Sequence, residues 1–258
     1  MPSGSARALP RQFRFVTSVT PLDAARPRPY LNEPSFSRGV PAAARDPRER
    51  RTATVQAREQ RNDKRARILD AAVKVFAERG YFSSTVAEIA RAAGVADGTI
   101  YLYFKSKDDL LLRLFDEKMT QLLAEAKAAL AEERDAPSRL KRFIQLHFSL
   151  VEKNPDLASV LVVELRQSAQ FLKSADRQKL GAAYLDLIAQ VVREGQEKGE
   201  LAATVSPGTA KRVIFGALDE LALGWLLSGR RASLKKTGHE VAEWLVRGLK
   251  PHDTGGRQ

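Results

Sequence analysis

Apolar residues recur along most of this chain at every third or fourth position, which is the spacing of α-helices. Ile68, Ala72, Val75 and Phe76 follow the intervals i, i+4, i+7 and i+8, and they predict an amphipathic helix over residues 61–79 that stops at Gly80. No stretch alternates between apolar and polar residues, as a half-buried strand would. The pattern therefore predicts an all-α fold.

The helical pattern continues almost to the C-terminus, with prolines and glycines marking where helices begin and end. Ser106 and Asp109 form a capping box that opens a long helix. Residues 157–167 are apolar on nearly all sides, which predicts a helix in the middle of a bundle. The predicted helices that follow Gly94 and its turn span residues 106–133, 137–154, 157–167, 174–198, 207–229 and 234–249.

Residues 85–104 form the pattern of two short helices joined by a tight turn. Thr85 and Glu88 are the two halves of a capping box, so the first helix begins here. Gly94 ends it, because the residue after a helix often adopts a left-handed backbone that glycine reaches without steric cost. Ile100 and Phe104, four residues apart, are expected to face inward together. This is a helix-turn-helix pattern, whose second helix enters the major groove of DNA.

Residues 1–58 are rich in arginine, alanine and proline and lack helical periodicity, which predicts a disordered basic extension. Residues 1–61 carry twelve arginines against five acids, a net +7 of the total +12, so the basic charge is weak support for DNA binding. Three alternatives remain for this segment. It could be a transit peptide, a tail that adds phosphate contacts, or the result of a start assigned too far upstream.

Chemistry-bearing residues are scarce. The chain has no cysteine and three histidines without the spacing of metal ligands, so we expect no metal, no cofactor and a cytoplasmic location. No run reaches the roughly 18 apolar residues of a membrane span, and a membrane partner is not expected. Catalytic motifs and glycine-rich phosphate loops are missing, so we expect no enzyme.

The run AGVADGTIYLYFKSKDDL at residues 93–110 closely resembles the DNA-binding signature of TetR-family repressors. The resemblance implies an N-terminal three-helix domain over residues 59–108, the head. It also implies a helical-bundle domain for ligand binding and dimerisation over residues 109–250, the body, and a flexible tail over residues 251–258. Such a protein binds a palindromic double-stranded DNA operator as a homodimer and associates with the nucleoid through that DNA.

Roles in the head follow from this resemblance and from the helical geometry. Thr85, Lys107 and Tyr103 are expected to hold the phosphate backbone, and the leading turn of the second helix is expected to reach base edges. Tyr81 and Phe82 are expected to pack beneath this head. The residues assigned to the DNA contact are Thr85, Ala96, Asp97, Gly98, Thr99, Tyr101, Tyr103 and Lys107.

The body resembles the TetR-family repressors of fatty-acid degradation, through residues 147–150, 164–168 and 214–220. Those proteins bind long-chain acyl-CoA and then leave the operator, which implies acyl-CoA as the small-molecule effector here. The residues expected to line the ligand site are Phe148, Leu161, Arg166 and Trp225, with Arg142 and Lys173 as further phosphate-binding candidates. Arg166 could equally pair with Glu164 or Asp219 inside the bundle.

The last two helices carry apolar faces suited to a four-helix dimer bundle. The residues expected at this interface are Leu218, Leu221, Leu226, Trp244, Leu245 and Leu249. The same faces could close the core of a single chain. A TetR-type repressor of an efflux pump that senses lipophilic drugs is the alternative function. An acyl-CoA enzyme and a non-specific nucleoid protein are more distant ones.

Overall fold

The computed structural model describes residues 47–251, with side chains described from Val55 onward except at positions 57, 167 and 170. Over this range the chain is helical and contains no strand, which confirms the all-α prediction. A π-helical segment, Val160–Glu164, and a 3₁₀ turn, Leu165–Gln167, directly continue the short helix Pro155–Ser159. The helices are α1 Pro47–Arg79, α2 Val86–Ala93, α3 Asp97–Ile100, α4 Lys107–Ala131, α5 Ala136–Lys153, α6 Pro155–Ser159, α7 Ala169–Lys173, α8 Ala175–Glu197, α9 Pro207–Leu227 and α10 Leu234–Gly248.

Helix α1 is longer than the sequence predicted. It begins at Pro47 instead of near residue 61, so part of the expected extension over residues 1–58 is helical. The rest of that extension, residues 1–46, lies outside the described residues, as does the predicted tail from residue 252 onward. The predicted apolar stripe of α1 is buried, with Ile68, Ala72 and Phe76 fully enclosed. This stripe belongs to the same core cluster as Ile89 of α2 and Ile100 of α3.

The head follows the predicted pattern closely. Thr85 caps α2 with its side chain, Glu88 returns the bond to the Thr85 backbone, and Gly94 ends the helix with φ of 65°. The second helix is short, since α3 covers only four residues and the chain then turns through residues 101–103. Ile100 and Phe104 are both buried at 1% exposure, which confirms that they anchor this part of the head together.

Helix α5 occupies the centre of the body and packs against α4, α8, α9 and α10. The sequence had predicted this central place for residues 157–167, and that prediction was wrong. Ala158, Val160 and Leu165 are buried there, but Leu161 and Val162 are only half-buried. The all-round apolar pattern arises because one side of the segment faces the core and another side faces a cavity.

Among the described residues, no helix is long and apolar enough to cross a membrane.

Candidate functional site

Helix α3 and the turn that follows it present an exposed surface on the head. Asp97, Gly98 and Tyr101 are exposed, and Thr99 and Tyr103 are half-buried. Ile100 points inward, so the residues beside it in the helix point outward by geometry alone. Ala96, the residue before α3, is exposed too. The DNA roles assigned to these residues from the sequence stay predictions.

Two exposed residues of the head carry apolar side chains. Leu102 is 72% exposed, and Phe82 in the turn between α1 and α2 is 67% exposed. The expectation that Phe82 packs beneath the head was wrong, whereas Tyr81, its neighbour, is buried at 4% exposure. Phe82 lies edge-on against the Tyr81 ring, with 5.4 Å between the ring centroids. Of this pair, only the Tyr81 ring is buried in the core.

Thr85 is engaged in the capping box at the start of α2. Its hydroxyl accepts from the Glu88 backbone N–H at 3.2 Å, and its own backbone N–H donates to Glu88 Oε2 at 2.9 Å. The bond from the Thr85 backbone N–H to the carboxylate, followed by a bond from the Thr85 hydroxyl to the same carboxylate, lowers the pKa of Glu88. The Glu88 carboxylate also pairs with Arg79 at 2.7 Å. The start of α2 is therefore rigidly held next to the exposed surface.

Lys107 has a structural setting that the sequence did not indicate. Its Nζ donates to the backbone carbonyls of Tyr81, Phe82 and Ser84 at 2.8, 3.2 and 2.8 Å. The same ammonium lies 4.6 Å from the centroid of the Tyr81 ring. An ammonium has three protons, so in this arrangement all of them are directed at the turn between α1 and α2. A phosphate contact by Lys107 stays a prediction.

Tyr81 joins the head to the body. Its hydroxyl donates to Asp108 at the start of α4. The pKa of Tyr81 is raised, mainly by burial and in addition by the Asp108 carboxylate. Its backbone N–H donates to Oε2 of Glu164 at 2.7 Å, across 83 residues of sequence. Glu164 is the last residue of the π-helical segment of the body. One residue of the head is thus bonded both to α4 and to the segment that continues α6.

An apolar cavity of about 350 Å³ lies in the body. Its walls come from α4, α5, the segment from α6 to the 3₁₀ turn, α7, α8 and α9. The residues that line it are Phe115, Met119, Leu122, His147, Leu150, Val151, Asn154, Leu157, Ala158, Leu161, Val162, Leu165, Arg166, Phe171, Gln178, Gly181, Ala182, Tyr184, Leu185, Phe215 and Asp219. Hydrocarbon surface dominates this lining, and the cavity suits an apolar ligand.

Two of the four ligand-site residues that the sequence predicted line this cavity. Leu161 and Arg166 line it, whereas Phe148 and Trp225 do not. Phe148 is fully buried against Gly238 of α10, where a Cβ would come within 2.8 Å of its ring. The indole N–H of Trp225 donates to the carbonyl of Ala232 at 2.6 Å. Both side chains belong to the packing between α5, α9 and α10, which sequence spacing does not distinguish from a cavity wall.

Arg166 and Asp219 form an ion pair on the wall of the cavity, with 2.6 Å between Arg166 Nη2 and Asp219 Oδ1. The pairing of Arg166 with Asp219 that the sequence allowed is confirmed. The Arg166 side chain is 53% exposed and that of Asp219 only 19%, so the pair marks the solvent-facing rim. Arg142 instead lies 4.0 Å from Glu132, and Lys173 is exposed on α7; neither lines the cavity.

His147 is one of the cavity residues that the sequence did not single out as ligand contacts. The residue retains some exposure, but the burial of its ring lowers its pKa to about 4, against an opposing effect of Asp219. Nδ1 lies 3.4 Å from the hydroxyl of Tyr184, whose pKa burial raises. Nε2 is buried without a hydrogen-bond partner in the described part of the chain. No group of three or more His, Asp or Glu residues in that part suits a metal ion.

The expected dimer interface is divided by the structure. Leu218 is fully buried in the chain's own core, so its assignment to the interface was wrong. Its position on α9 faces inward, because Ile214, Leu218 and Ala222 form the buried stripe of that helix. The other five residues are at least partly accessible, namely Leu221, Leu226, Trp244, Leu245 and Leu249.

An apolar groove of about 400 Å³ runs between α9 and α10 on this side of the body. Trp244 and Val213 line it and are 72% and 58% exposed, and Leu227 further along α9 is 76% exposed. Large apolar side chains at this exposure commonly mark a protein interface. The assignment of individual residues of this face to a dimer interface stays a prediction.

Comparison with known proteins finds matching family models for both the head and the body. The family model described as "Bacterial regulatory proteins, tetR family" matches residues 68–114, and the one described as "YsiA-like protein, C-terminal region" matches residues 115–248. The fatty acid metabolism regulator protein of Bacillus subtilis (strain 168) is 40% identical over 190 residues, which cover 74% of this chain and 97% of the relative.

Solved structures agree with the sequence comparison. The transcriptional regulator FadR from Bacillus subtilis, in complex with stearoyl-CoA, aligns with a TM-score of 0.67 and 38% identity, over 71% of this chain and 98% of that one. The fatty acid degradation regulator FadR from Bacillus halodurans aligns with a TM-score of 0.66 and 36% identity, over 72% and 99%. These matches confirm the resemblance inferred from residues 93–110 and from the body.

Proposed function

We propose that this chain, which belongs to the TetR family of bacterial regulatory proteins, is a homodimeric transcriptional repressor that long-chain acyl-CoA releases from its operator. The genes it controls would be those of fatty-acid degradation, and it would act in the bacterial cytoplasm. Its chemistry is binding alone, without a catalytic step.

The observation that carries the proposal is the apolar cavity of about 350 Å³ in the body. This cavity lies within the region that is similar to the regulator solved with stearoyl-CoA. Each methylene transferred from water to such a cavity contributes about 0.8 kcal/mol, so an acyl chain supplies much more free energy than the few kcal/mol that a repressor needs to change state. Only the part of this energy that differs between the two states drives release.

One route from the cavity to the head runs through Glu164. Leu161 and Val162, in the same π-helical segment as Glu164, line the cavity. An acyl chain that displaces them also shifts Glu164, whose carboxylate holds the Tyr81 backbone N–H. π-Helical segments occur frequently at functional sites, since their widened turn leaves the backbone easier to rearrange. The turn between α1 and α2, which Lys107 and Tyr81 organise, would move with it.

On the DNA side, two heads are needed because one recognition helix covers only a few base pairs. A homodimer places them on half-sites one or more helical turns apart, and the operator is then a palindrome. The exposed α3 surface supplies base contacts, and the start of α2 supplies phosphate contacts. If the dimer neutralises six to ten phosphates, its affinity should fall by about 10³ to 10⁵-fold between 50 and 200 mM salt.

A fluorescence anisotropy titration of the protein with its own promoter tests this function. We expect saturable binding to one palindrome, lost on adding palmitoyl-CoA and retained with free CoA. Lipophilic cations are the comparison ligands, and we expect them to leave the complex intact, because Asp219 on the cavity wall is already paired with Arg166. Release by the cations but not by palmitoyl-CoA would instead identify a drug-sensing repressor. Equal binding to scrambled duplex would refute operator recognition.

A further inference from the structure

Among the described residues that line the cavity, one buried polar atom is not satisfied by its surroundings. His147 Nε2 is enclosed and has no hydrogen-bond partner among the described residues, although the ring lines the cavity. Buried side-chain nitrogens in folded proteins are nearly always hydrogen-bonded, and leaving one unpaired costs about 1–3 kcal/mol. Because the ring itself lines a mainly apolar ligand cavity, a bound ligand is the source from which we expect this nitrogen to gain a partner.

The neighbours of His147 decide what that partner must be. The ring is enclosed by Phe148, Tyr184 and Phe215, with centroid distances of 5.8, 6.3 and 6.0 Å. The Tyr184 hydroxyl lies 3.4 Å from Nδ1 and is a donor that needs an acceptor. When it donates to Nδ1, the single proton of the neutral imidazole resides on Nε2. Nε2 is then a donor, and its partner on the ligand must be an acceptor such as an oxygen atom.

His147 lies just inside the rim of the cavity. Phe215, whose ring packs edge-on against His147, is one helical turn before Asp219 on α9. Asp219 forms the rim ion pair with Arg166. A ligand whose apolar tail fills the interior and whose polar head remains in solvent has its first carbon atoms at this depth. In an acyl thioester, those atoms include the carbonyl.

We propose that His147 Nε2 donates a hydrogen bond to the thioester carbonyl oxygen of the bound acyl group, and that Tyr184 fixes the tautomer that allows it. His147 is then the residue that distinguishes an acyl thioester from a hydrocarbon chain of the same length. The inference rests on the proposed function, since it assigns a contact within the same effector site.

Isothermal titration calorimetry with two ligands tests this contact. Palmitoyl-CoA and its thioether analogue S-hexadecyl-CoA have the same chain length and head, and they differ only in the carbonyl oxygen. We expect the unmodified protein to bind the thioester about ten-fold more tightly, because the thioether leaves Nε2 unpaired. His147→Phe should bind both ligands with equal affinity, and His147→Gln, which retains an N–H donor, should restore part of the preference.

The matched control is Leu161→Ala, which enlarges the same cavity without changing a polar atom. It should weaken the binding of both ligands alike and leave the ratio of their affinities unchanged. Equal affinities of the unmodified protein for the two ligands would overturn the His147 assignment, a result that does not depend on the folding of any variant. Preference for the thioester that survives in His147→Phe would overturn it too. No binding of either ligand would instead refute the proposed effector itself.

Discussion

The bond between Glu164 and the Tyr81 backbone provides a direct test of how the cavity controls the head. Replacing Glu164 with alanine removes the contact of 2.7 Å that joins the cavity wall to the turn before α2. We expect the variant to bind palmitoyl-CoA normally but to release its operator less completely. The reason is that the ligand would still displace the π-helical segment, while the head would no longer be connected to it by this bond.

The size of the effect follows from the bond itself. A hydrogen bond to a charged group contributes about 1.5–3 kcal/mol, and a half-buried carboxylate such as Glu164 belongs at the lower end. Since a link cannot transmit more free energy than it contributes, its loss should reduce the ratio of operator affinities without and with ligand by about ten-fold. Glu164→Gln keeps a neutral acceptor, so its ratio of operator affinities should lie between that of the unmodified protein and that of Glu164→Ala.

The assay measures operator affinity by fluorescence anisotropy, with and without saturating palmitoyl-CoA, and measures ligand affinity by calorimetry. Glu197→Ala is the matched control, because Glu197 is an exposed carboxylate near the end of α8 and does not line the cavity. The reasoning is refuted if Glu164→Ala remains folded and responds to palmitoyl-CoA with the same affinity ratio as the unmodified protein.

Three further predictions concern the head, the dimer and the pH dependence. Lys107→Ala, which removes three bonds to carbonyls, should lower the midpoint of thermal unfolding and weaken binding to all DNA sequences alike, whereas Lys105→Ala should not lower the midpoint. Trp244→Asp should shift the protein from dimer to monomer in size-exclusion chromatography with light scattering; a dimer of unchanged stability would exclude this face. Leu218→Ala should instead cost about 2–5 kcal/mol of unfolding free energy in a urea titration, as expected for a core leucine. The pKa of His147 falls from 6.5 to about 4 on folding, so the unfolded chain binds its proton first as the pH drops through this range. The free energy of unfolding should therefore decrease there by up to roughly 3 kcal/mol more than in His147→Phe, and parallel pH profiles would contradict this.

Much of the head was determined by local sequence. The Thr85 capping box, the left-handed Gly94 and the inward pair of Ile100 and Phe104 all lie where the pattern predicted. Each depends on residues within a few positions of one another, and helical geometry alone relates them. The resemblance of residues 93–110 to a known signature added the function, and the comparisons confirmed it.

Tertiary structure alone decided which apolar faces meet the core, the cavity or solvent. Leu218 and Trp244 look alike as interface residues in sequence, yet one is fully buried and the other 72% exposed. Leu161 lines the cavity and Phe148 does not, although both lie on apolar helical positions. Periodicity identifies the apolar side of a helix but carries no information about the element that this side will contact.

The contacts that we assign to function join residues far apart in the chain. Glu164 reaches Tyr81 across 83 positions, Arg166 reaches Asp219 across 53, and His147 lies beside Tyr184 across 37. The sequence supplied the residue types and, for Arg166, the right partner among two. Whether a buried histidine is satisfied or left without a partner beside a cavity depends on how the helices that form the cavity pack, and that arrangement exists only in the folded chain.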